Sequence, residues 1–297
     1  MKNVLLIINP VAGRLKARGA LFDIVKTFCE AGYKVTTQTT QRQGHAIELA
    51  ANAEKEGYDL VCCSGGDGTL HEVINGVIGS GSNIAVGYIP AGTTNDFAEA
   101  LEISKVPAHA ALNIVNGKKV KLDVGAFGDD QYFSYIASFG AFTNIAYEAP
   151  QDLKNRLGYL AYMLEGAKDL AEIKSYKISY TVNGQEYSGK YIFGGVSNST
   201  SVAGGIIKLN KKGIVDFQDG KFELMMIKKP NDLLELGEII NGITFQDYRS
   251  KMFEFMQVEE VDFKTSKSLM WTLDGERGVS NPEFKIKNLK KVLTIIK

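Results

Sequence analysis

The sequence predicts an α/β protein with an N-terminal three-layer α/β domain, built on a parallel sheet, and a C-terminal, mainly antiparallel β-sandwich domain. Strand-like and helix-like periodicities alternate over residues 1–123, as in strand–helix–strand units. After residue 124, aromatic and β-branched residues dominate, which is typical of strands. The 297 residues include 31 glycines but only 6 prolines. This excess indicates sharp turns and close backbone approaches rather than low-complexity segments.

The first domain, residues 1–123, alternates short apolar runs with segments that repeat apolar residues at helical spacing. Gly32 and Gly57 end two of these helices as C-terminal stops. Strands are predicted at residues 2–9, 33–40, 58–64, 84–89 and 118–124, and helices at residues 15–31, 44–56, 69–78 and 108–116. In a parallel sheet of this kind, a ligand binds at the carboxyl ends of the strands.

The second domain, residues 124–283, is predicted to contain a β-hairpin. Asn183-Gly184 supplies the positive φ angles of a two-residue turn between strands at 174–181 and 186–196. Further strands are predicted at residues 221–227, 252–265 and 268–273, and helices at residues 157–170 and 231–240. A last strand, residues 284–296, could return to either domain.

Charge and cysteine content exclude some classes of protein. Lys and Arg together number 34, as do Asp and Glu, so the formal net charge is zero, which argues against a nucleic-acid-binding protein. Cys29, Cys62 and Cys63 make a poor disulfide framework, and the adjacent pair reads as small buried residues. The apolar run at residues 4–8 is too short for a signal peptide. A cytoplasmic protein is therefore expected.

Three glycine-bearing turns follow three strands of the first domain. They are Asn9-Pro10-Val11-Ala12-Gly13, Gly65-Gly66-Asp67-Gly68-Thr69 and Pro90-Ala91-Gly92-Thr93-Thr94-Asn95-Asp96. Each alone could be a tight connection, but parallel strands bring all three to one edge. There their backbone N–H groups can bind the phosphates of a nucleotide. Neither Walker-type nor dinucleotide-binding glycine patterns occur.

An acidic residue in a phosphate loop indicates a metal ion. Asp67 would repel phosphate unless a cation such as Mg²⁺ bridged the two. Asp96 and Asp123, also at strand ends, could complete a carboxylate cluster.

The run from Gly65 to Gly76, read with the first and third turns, resembles the signature of the diacylglycerol kinase catalytic domain, which sphingosine, ceramide and soluble bacterial lipid kinases share. The resemblance covers essentially the whole chain. It implies an ATP-dependent lipid kinase that phosphorylates a lipid hydroxyl, with diacylglycerol as the expected substrate and phosphatidic acid as the product. It also implies peripheral contact with a membrane surface. The sequence does not determine the oligomeric state, for which a homodimer is one option.

The resemblance also assigns roles to residues. Those implied to contact ATP are Asn9, Pro10, Val11, Ala12, Gly13, Thr40, Gly66, Asp67, Gly68, Thr69, Leu70, His71, Glu72 and Thr93. Asp67 would organise the catalytic Mg²⁺ through a water network that includes Asp96. In Leu273-Asp274-Gly275-Glu276, Asp274 would be the general base and Glu276 would support it. Asp216, Asp219 and the Lys221 carbonyl would hold a second, structural Mg²⁺, although Lys221-Phe222-Glu223 departs from the family's usual Leu-Leu-Asp.

Simpler interpretations stay open for these motifs. Asp274-Gly275 also fits a hairpin turn, and Asp216 with Asp219 also fits a solvated surface turn. Two other functions are alternatives: an NAD kinase-like small-molecule kinase, and a non-catalytic nucleotide- or lipid-binding regulator. Asp67, Asp274 and Glu276 argue against the regulator, because such groups are lost first when catalysis is lost.

Overall fold

A computed structural model describes residues 1–12, 16–93, 95–140, 173–198, 201–202, 207–208 and 217–297, with side chains left undescribed at 16–18, 201–202 and 207–208. The chain divides into two compact units. The first comprises Met1–Val124, Asp130–Ser134 and Leu289–Lys297. The second comprises Gly125–Asp129 and Tyr135–Asn288.

The first part of the chain alternates strands and helices as predicted. Its elements are β1 (Lys2–Ile8), α1 (Lys16–Glu30), β2 (Tyr33–Thr39), α2 (His45–Ala53), β3 (Leu60–Gly65), α3 (Asp67–Gly79), β4 (Ala85–Pro90), α4 (Asp96–Ala100), α5 (Pro107–Asn116), β5 (Lys119–Phe127) and β6 (Gln131–Phe133). The sequence did not predict α4, because five residues are too few to show a helical period.

The rest of the chain is mainly strands. Its described elements are β7 (Ile136–Gly140), β8 (Tyr176–Val182), β9 (Gln185–Ser197), β10 (Ser201–Val202), β11 (Ile207–Lys208), β12 (Phe222–Lys228), α6 (Leu233–Phe245), β13 (Phe253–Val258), β14 (Glu260–Thr265), β15 (Met270–Leu273), β16 (Glu276–Val279) and β17 (Glu283–Ile296). The predicted helix at residues 157–170 lies outside the described residues.

The first unit is built on a parallel sheet, as predicted. Strand β1 pairs in parallel with β2 and β3, and β3 pairs in parallel with β4. The end of β17 pairs in parallel with β4 through Ile295 and Ile296. Alternate residues of these strands pack against Ile24 and Phe28 of α1 and against Ile114 of α5. Cys62 and Cys63 are fully buried in this sheet, as expected.

Helices α2 and α3 pack against each other at a glycine. A Cβ on Gly76 would lie 2.3 Å from the carbonyl oxygen of Ile47 and 3.0 Å from the Cβ of Ala50. Only glycine permits this approach. This close contact between α2 and α3 fixes the position of α3, which carries the second glycine turn at its N-terminus.

The second unit is antiparallel, which confirms the predicted change of architecture. Strand β9 pairs with β7, β8 and β12, and the β8–β9 hairpin turns at Asn183-Gly184 as predicted. The single strand predicted at residues 252–265 is wrong. The structure divides it at Glu259 into β13, which pairs with β12, and β14, which pairs with β8 and β17.

Aromatic packing fills the core of the second unit. Trp271 is 1% exposed, and its ring contacts those of Phe127, Phe139, Phe263 and Phe284. Trp271 therefore packs at the centre of this aromatic core. Within the described part of the chain, no helix is long and apolar enough to cross a membrane.

Candidate active site

The first and second glycine turns are tied together by Asn9. Its Nδ2 donates to Thr69 Oγ1 at 2.9 Å, and its Oδ1 accepts from the N–H of Val11 at 3.1 Å. Its backbone N–H donates to Ser64 O at 2.9 Å, which continues the β1–β3 ladder. One side chain therefore fixes the first turn and attaches it to the first turn of α3.

The second and third turns touch through their glycine backbones. A Cβ on Gly92 would lie 2.5 Å from the Cα of Gly66, and a Cβ on Gly65 would lie 2.6 Å from the Cβ of Thr69. The N–H of Ala91 donates to Gly65 O at 2.7 Å. Gly92 is required for the close packing of the two turns, and Gly65 for packing against Thr69 of its own turn, whereas neither residue has a positive φ angle.

Asn95 holds the third turn in its folded shape. Its Oδ1 accepts from the N–H of Gly92 at 2.9 Å, and its Nδ2 donates to Gly92 O at 3.0 Å. The hydroxyl of Tyr88 donates to Asn95 Oδ1 at 3.2 Å. Burial, with a smaller contribution from Asp67, raises the pKa of Tyr88, so this hydroxyl stays a neutral donor. The sequence reasoning missed Tyr88, which reads locally as an ordinary buried strand residue.

Asp67 links the start of α3 to the start of α4. Its Oδ2 accepts from the N–H of Asp96 at 3.1 Å, and its Oδ1 accepts from the N–H of Phe97 at 3.3 Å. A carboxylate at a helix N-terminus is stabilised by the unpaired N–H groups there. The structure thus brings together Asp67 and Asp96, two of the three acidic residues predicted to form a carboxylate cluster.

Other predicted nucleotide contacts lie along the same edge. The N–H of Thr40 donates to Ile8 O at 2.9 Å, which places it at the carboxyl end of β2, and Thr93 is exposed in the third turn. The Glu72 carboxylate accepts from the N–H groups of Gly44 (2.8 Å) and Ala46 (3.1 Å), so it caps α2. Leu70 is buried in the core.

The other functional residues predicted in this unit differ in how exposed they are to solvent. Pro10 and Val11 are exposed, whereas Ala12, Gly66, Gly68 and His71 are partly exposed. Asp123 is 1% exposed, and its Oδ1 accepts from the N–H of Lys291 at 2.8 Å, which anchors β17 in this unit. Gly13 and Thr94 lie outside the described residues.

In the second unit, Asp274 occupies the turn between β15 and β16. Its φ is 50° and that of Gly275 is 94°, which suits a two-residue hairpin turn with both angles positive. The Oδ1 of Asp274 accepts from the N–H groups of Tyr135 (2.9 Å) and Ile136 (3.0 Å), and its own N–H donates to Ile136 O at 2.8 Å. Asp274 is 3% exposed, and these two bonds to Oδ1 orient its carboxylate.

Glu276 lies opposite Leu273 in the β15–β16 ladder and is partly exposed. The predicted hairpin turn at Asp274-Gly275 is therefore present, and it presents both acidic residues of the Asp-Gly-Glu sequence. A turn and a catalytic role are compatible, because the turn fixes the backbone of the residue that would react.

The predicted second metal site is described only in part. Asp216 lies outside the described residues, and Asp219 Oδ1 accepts from the N–H of Lys221 at 2.8 Å. Among the described residues, no group of three or more His, Cys, Asp or Glu side chains could hold a metal ion. Glu223 lies two residues after Lys221 and is 2% exposed, and this burial raises its pKa to about 7.

The chain is similar to known kinases over most of its length. A sequence model of the diacylglycerol kinase catalytic domain matches residues 3–127. A diacylglycerol kinase of Bacillus subtilis (strain 168) is 34% identical over 283 residues, which cover 94% of this chain and 91% of the relative. A diacylglycerol kinase of Staphylococcus aureus (strain bovine RF122 / ET3-1) is 31% identical over 284 residues, 95% of this chain and 88% of the relative.

The fold is similar to that of a crystal structure of a diacylglycerol kinase from Bacillus anthracis (strain Sterne). The TM-score is 0.73 at 24% identity, over 99% of this chain and 96% of that chain. The Bacillus subtilis and Staphylococcus aureus relatives are more than 30% identical to this chain over most of both sequences, and this similarity establishes the family. The chain therefore belongs to the diacylglycerol kinase family, and it is an ATP-dependent lipid kinase.

Proposed function

We propose that this protein transfers the γ-phosphate of ATP to the free hydroxyl of diacylglycerol and so produces phosphatidic acid. The observation that carries this proposal is the locking of three glycine turns at one sheet edge, through Asn9 with Thr69 and through Gly66 with Gly92. Such an edge offers several N–H groups to the oxygens of a triphosphate.

Asp274 is the proposed general base. The lipid hydroxyl oxygen attacks the γ-phosphorus in line, its proton passes to the Asp274 carboxylate, and the bond to the β-phosphate oxygen breaks to release ADP. The two N–H donors on Oδ1 orient the carboxylate before the substrate arrives. Glu276, from the same turn, is proposed to support this geometry.

We propose that Asp67 and Asp96 hold a catalytic Mg²⁺ together with the phosphates of ATP. Asp67 and Asp96 are neighbours in space, and carboxylate oxygens with phosphate oxygens are the ligands that Mg²⁺ takes in kinases. When bound, the ion neutralises charge on the phosphates. Asp67, Asp96 and the loop amides would hold and orient the metal-bound triphosphate. Asp219 and the Lys221 carbonyl, with Asp216, remain the proposed ligands of a second, structural Mg²⁺.

Diacylglycerol is insoluble in water, so we also propose peripheral contact with a membrane that supplies it. Membership of the lipid kinase family argues against the NAD kinase-like alternative. The non-catalytic alternative makes a different prediction, which is ATP binding without turnover.

The test is phosphate transfer from γ-labelled ATP, with Mg²⁺, to vesicles that contain a single candidate lipid each. Diacylglycerol, ceramide, sphingosine and monoacylglycerol form the panel, and a parallel series replaces Mg²⁺ with a chelator. We expect labelled phosphatidic acid from diacylglycerol vesicles, only when Mg²⁺ is present. Faster labelling of another lipid would refute the assigned substrate, and ATP binding with no labelled lipid would favour the non-catalytic alternative.

A further inference from the structure

Two lysines lie opposite each other in the β8–β9 hairpin. Lys177 pairs with Lys190 in the antiparallel ladder, so the two side chains lie on the same face of the sheet. Both residues are exposed, and within the described part of the chain neither forms an ion pair. Like charges in directly opposite positions destabilise a strand pair. The two lysines therefore weaken the hairpin, and a negatively charged partner would relieve their repulsion.

The two lysines lie on the face of the sheet that α6 covers. Where β12 ends, Lys228 pairs with Tyr191, and their side chains both reach Glu254, at 2.9 Å and 2.8 Å. Side chains alternate along a strand, so the preceding residues, Ile227 and Lys190, point to the other face. On that face Ile227 belongs to the hydrophobic cluster that includes the buried residues of α6. Lys190 therefore points to the same side of the sheet as the helix.

Two exposed leucines begin α6 close to these lysines. Leu233 is 75% exposed and Leu234 is 81% exposed, at the first two positions of the helix. The N–H of Lys229 donates to Lys190 O at 2.8 Å, and from Lys229 to Leu233 the chain spans at most about 14 Å. Apolar side chains and positive charge are therefore close together on one side of the second unit.

The carboxylates around the start of α6 are held by the helix and its neighbours. Asp232 caps the helix, and its Oδ1 accepts from the N–H of Glu235 at 2.8 Å, where the positive end of the helix dipole stabilises it. Glu235 pairs with Lys251 at 3.0 Å, and Glu238 accepts a hydrogen bond from the hydroxyl of Ser250. None of these carboxylates pairs with the two lysines of the hairpin, whose charge stays available to a partner.

The basic–apolar patch consists of Lys177, Lys190, Leu233 and Leu234. We propose that this patch docks the protein on an anionic lipid bilayer. The lysine ammonium groups contact headgroup phosphates, and the leucine side chains enter the outer edge of the acyl region. A bilayer supplies both chemistries at once, because a layer of phosphates covers an apolar interior. The inference assigns a surface to the proposed membrane contact and rests on that part of the proposed function.

The test is sedimentation of the full-length protein with vesicles of phosphatidylcholine, with or without phosphatidylglycerol, in the absence of ATP. One double variant, Lys177→Gln with Lys190→Gln, removes the charge of the patch. Its matched control is Lys267→Gln with Lys287→Gln, because these lysines are also exposed in the second unit without an ion pair to any described residue.

A second double variant, Leu233→Ser with Leu234→Ser, removes the apolar part of the patch. Serine suits the first turn of a helix, and Asp232 still caps α6, so the fold should be retained. The matched control is Phe22→Ser in α1, where the side chain is 76% exposed and lies in the first unit. Melting temperatures of all variants are compared with that of the wild type.

We expect the lysine variant to bind anionic vesicles about twenty-fivefold more weakly, because each lysine near such a surface contributes about fivefold in affinity. The loss should shrink in high salt, which screens exposed charges, and it should be absent with phosphatidylcholine alone. The leucine variant should bind both kinds of vesicle at least about tenfold more weakly, since insertion of apolar side chains does not depend on headgroup charge. Both controls should bind like the wild type.

Four results would overturn the inference. They are a wild type that does not bind anionic vesicles, patch variants that bind as well as the wild type, controls that lose as much affinity as the patch variants, and a leucine variant that changes only the oligomeric state. The last result would identify the patch as a contact between copies of this chain.

Failure of the proposed phosphoryl transfer is distinguishable, because vesicle binding is measured without ATP or turnover. If only the proposed chemistry fails, the wild type sediments with anionic vesicles but transfers no phosphate to any lipid. If only the inference fails, the wild type produces phosphatidic acid, and the patch variants keep the affinity of the wild type for vesicles.

Discussion

The contact between Gly66 and Gly92 makes a quantitative prediction for Gly92→Ala. The added Cβ would lie 2.5 Å from the Cα of Gly66 and 2.8 Å from Asn95 Oδ1. Carbon atoms at contact are about 3.5–4.0 Å apart, so the two turns must separate by roughly 1 Å. Overpacking of this kind costs about 1–3 kcal/mol, and here the obstructing atom belongs to the backbone, which cannot rotate away.

We expect two measurable consequences of Gly92→Ala. The free energy of unfolding in urea should fall by about 1–3 kcal/mol. Separated turns also hold the phosphates less well. ATP binding, measured by calorimetry, should therefore weaken about tenfold for each 1.4 kcal/mol by which the binding free energy becomes less favourable.

The matched control is Gly19→Ala in α1. A Cβ there has no heavy atom within 4 Å, and its φ is not positive, so alanine should be neutral or should stabilise the helix by about 0.5–1 kcal/mol. If Gly92→Ala retained the stability and ATP affinity of the wild type, the interlocked turns would not form the nucleotide site as described.

Two further predictions concern the second unit. Glu254 accepts from the buried hydroxyls of Tyr180 (2.6 Å) and Tyr191 (2.8 Å) and pairs with Lys228 (2.9 Å), so Glu254→Ala should lower the free energy of unfolding by about 2–5 kcal/mol. A loss below about 0.5 kcal/mol in urea titrations would contradict that network. Burial raises the pKa of Glu223 from 4.5 to about 7, so its protonated form stabilises the folded state at acidic pH and this contribution is lost as pH rises through about 7. The free energy of unfolding should therefore be higher at about pH 5.5 than at about pH 8, and this difference should be roughly 2 kcal/mol larger in the wild type than in Glu223→Gln. Equal differences in the two proteins would show that Glu223 is ionised in both the folded and the unfolded chain.

The sequence predicted the convergence of the glycine turns because strand direction alone determines where parallel strands end. It could not predict which side chains join the turns. Asn9 and Thr69 are 60 residues apart, and Asp67 reaches the N–H groups of Asp96 and Phe97 because β4 pairs with β3. Those contacts depend on tertiary placement, which no local pattern encodes.

Two features of the structure that the sequence does not indicate have the same cause. Residues 252–265 alternate as one strand, but the chain changes partners at Glu259, where its carbonyl oxygen accepts from the N–H of Asn288. Asn75 lies inside the family signature, but nothing local indicates that its Nδ2 donates to the backbone oxygen of Tyr132, because that residue is 57 positions away. Asp274, by contrast, lies in a turn that the Asp-Gly pair predicts directly.

We propose that Asp274 accepts the proton of the lipid hydroxyl while the glycine turns of the first unit hold ATP. The most direct test is the single-turnover rate of phosphate transfer in Asp274→Asn, alongside its ATP affinity. Asparagine tolerates the positive φ angle and keeps an oxygen for the N–H groups of Tyr135 and Ile136, but it cannot take the proton. We predict unchanged ATP affinity and a rate lower by about a hundredfold to ten-thousandfold, the usual worth of a general base. A rate within about twofold of the wild type would contradict the claim.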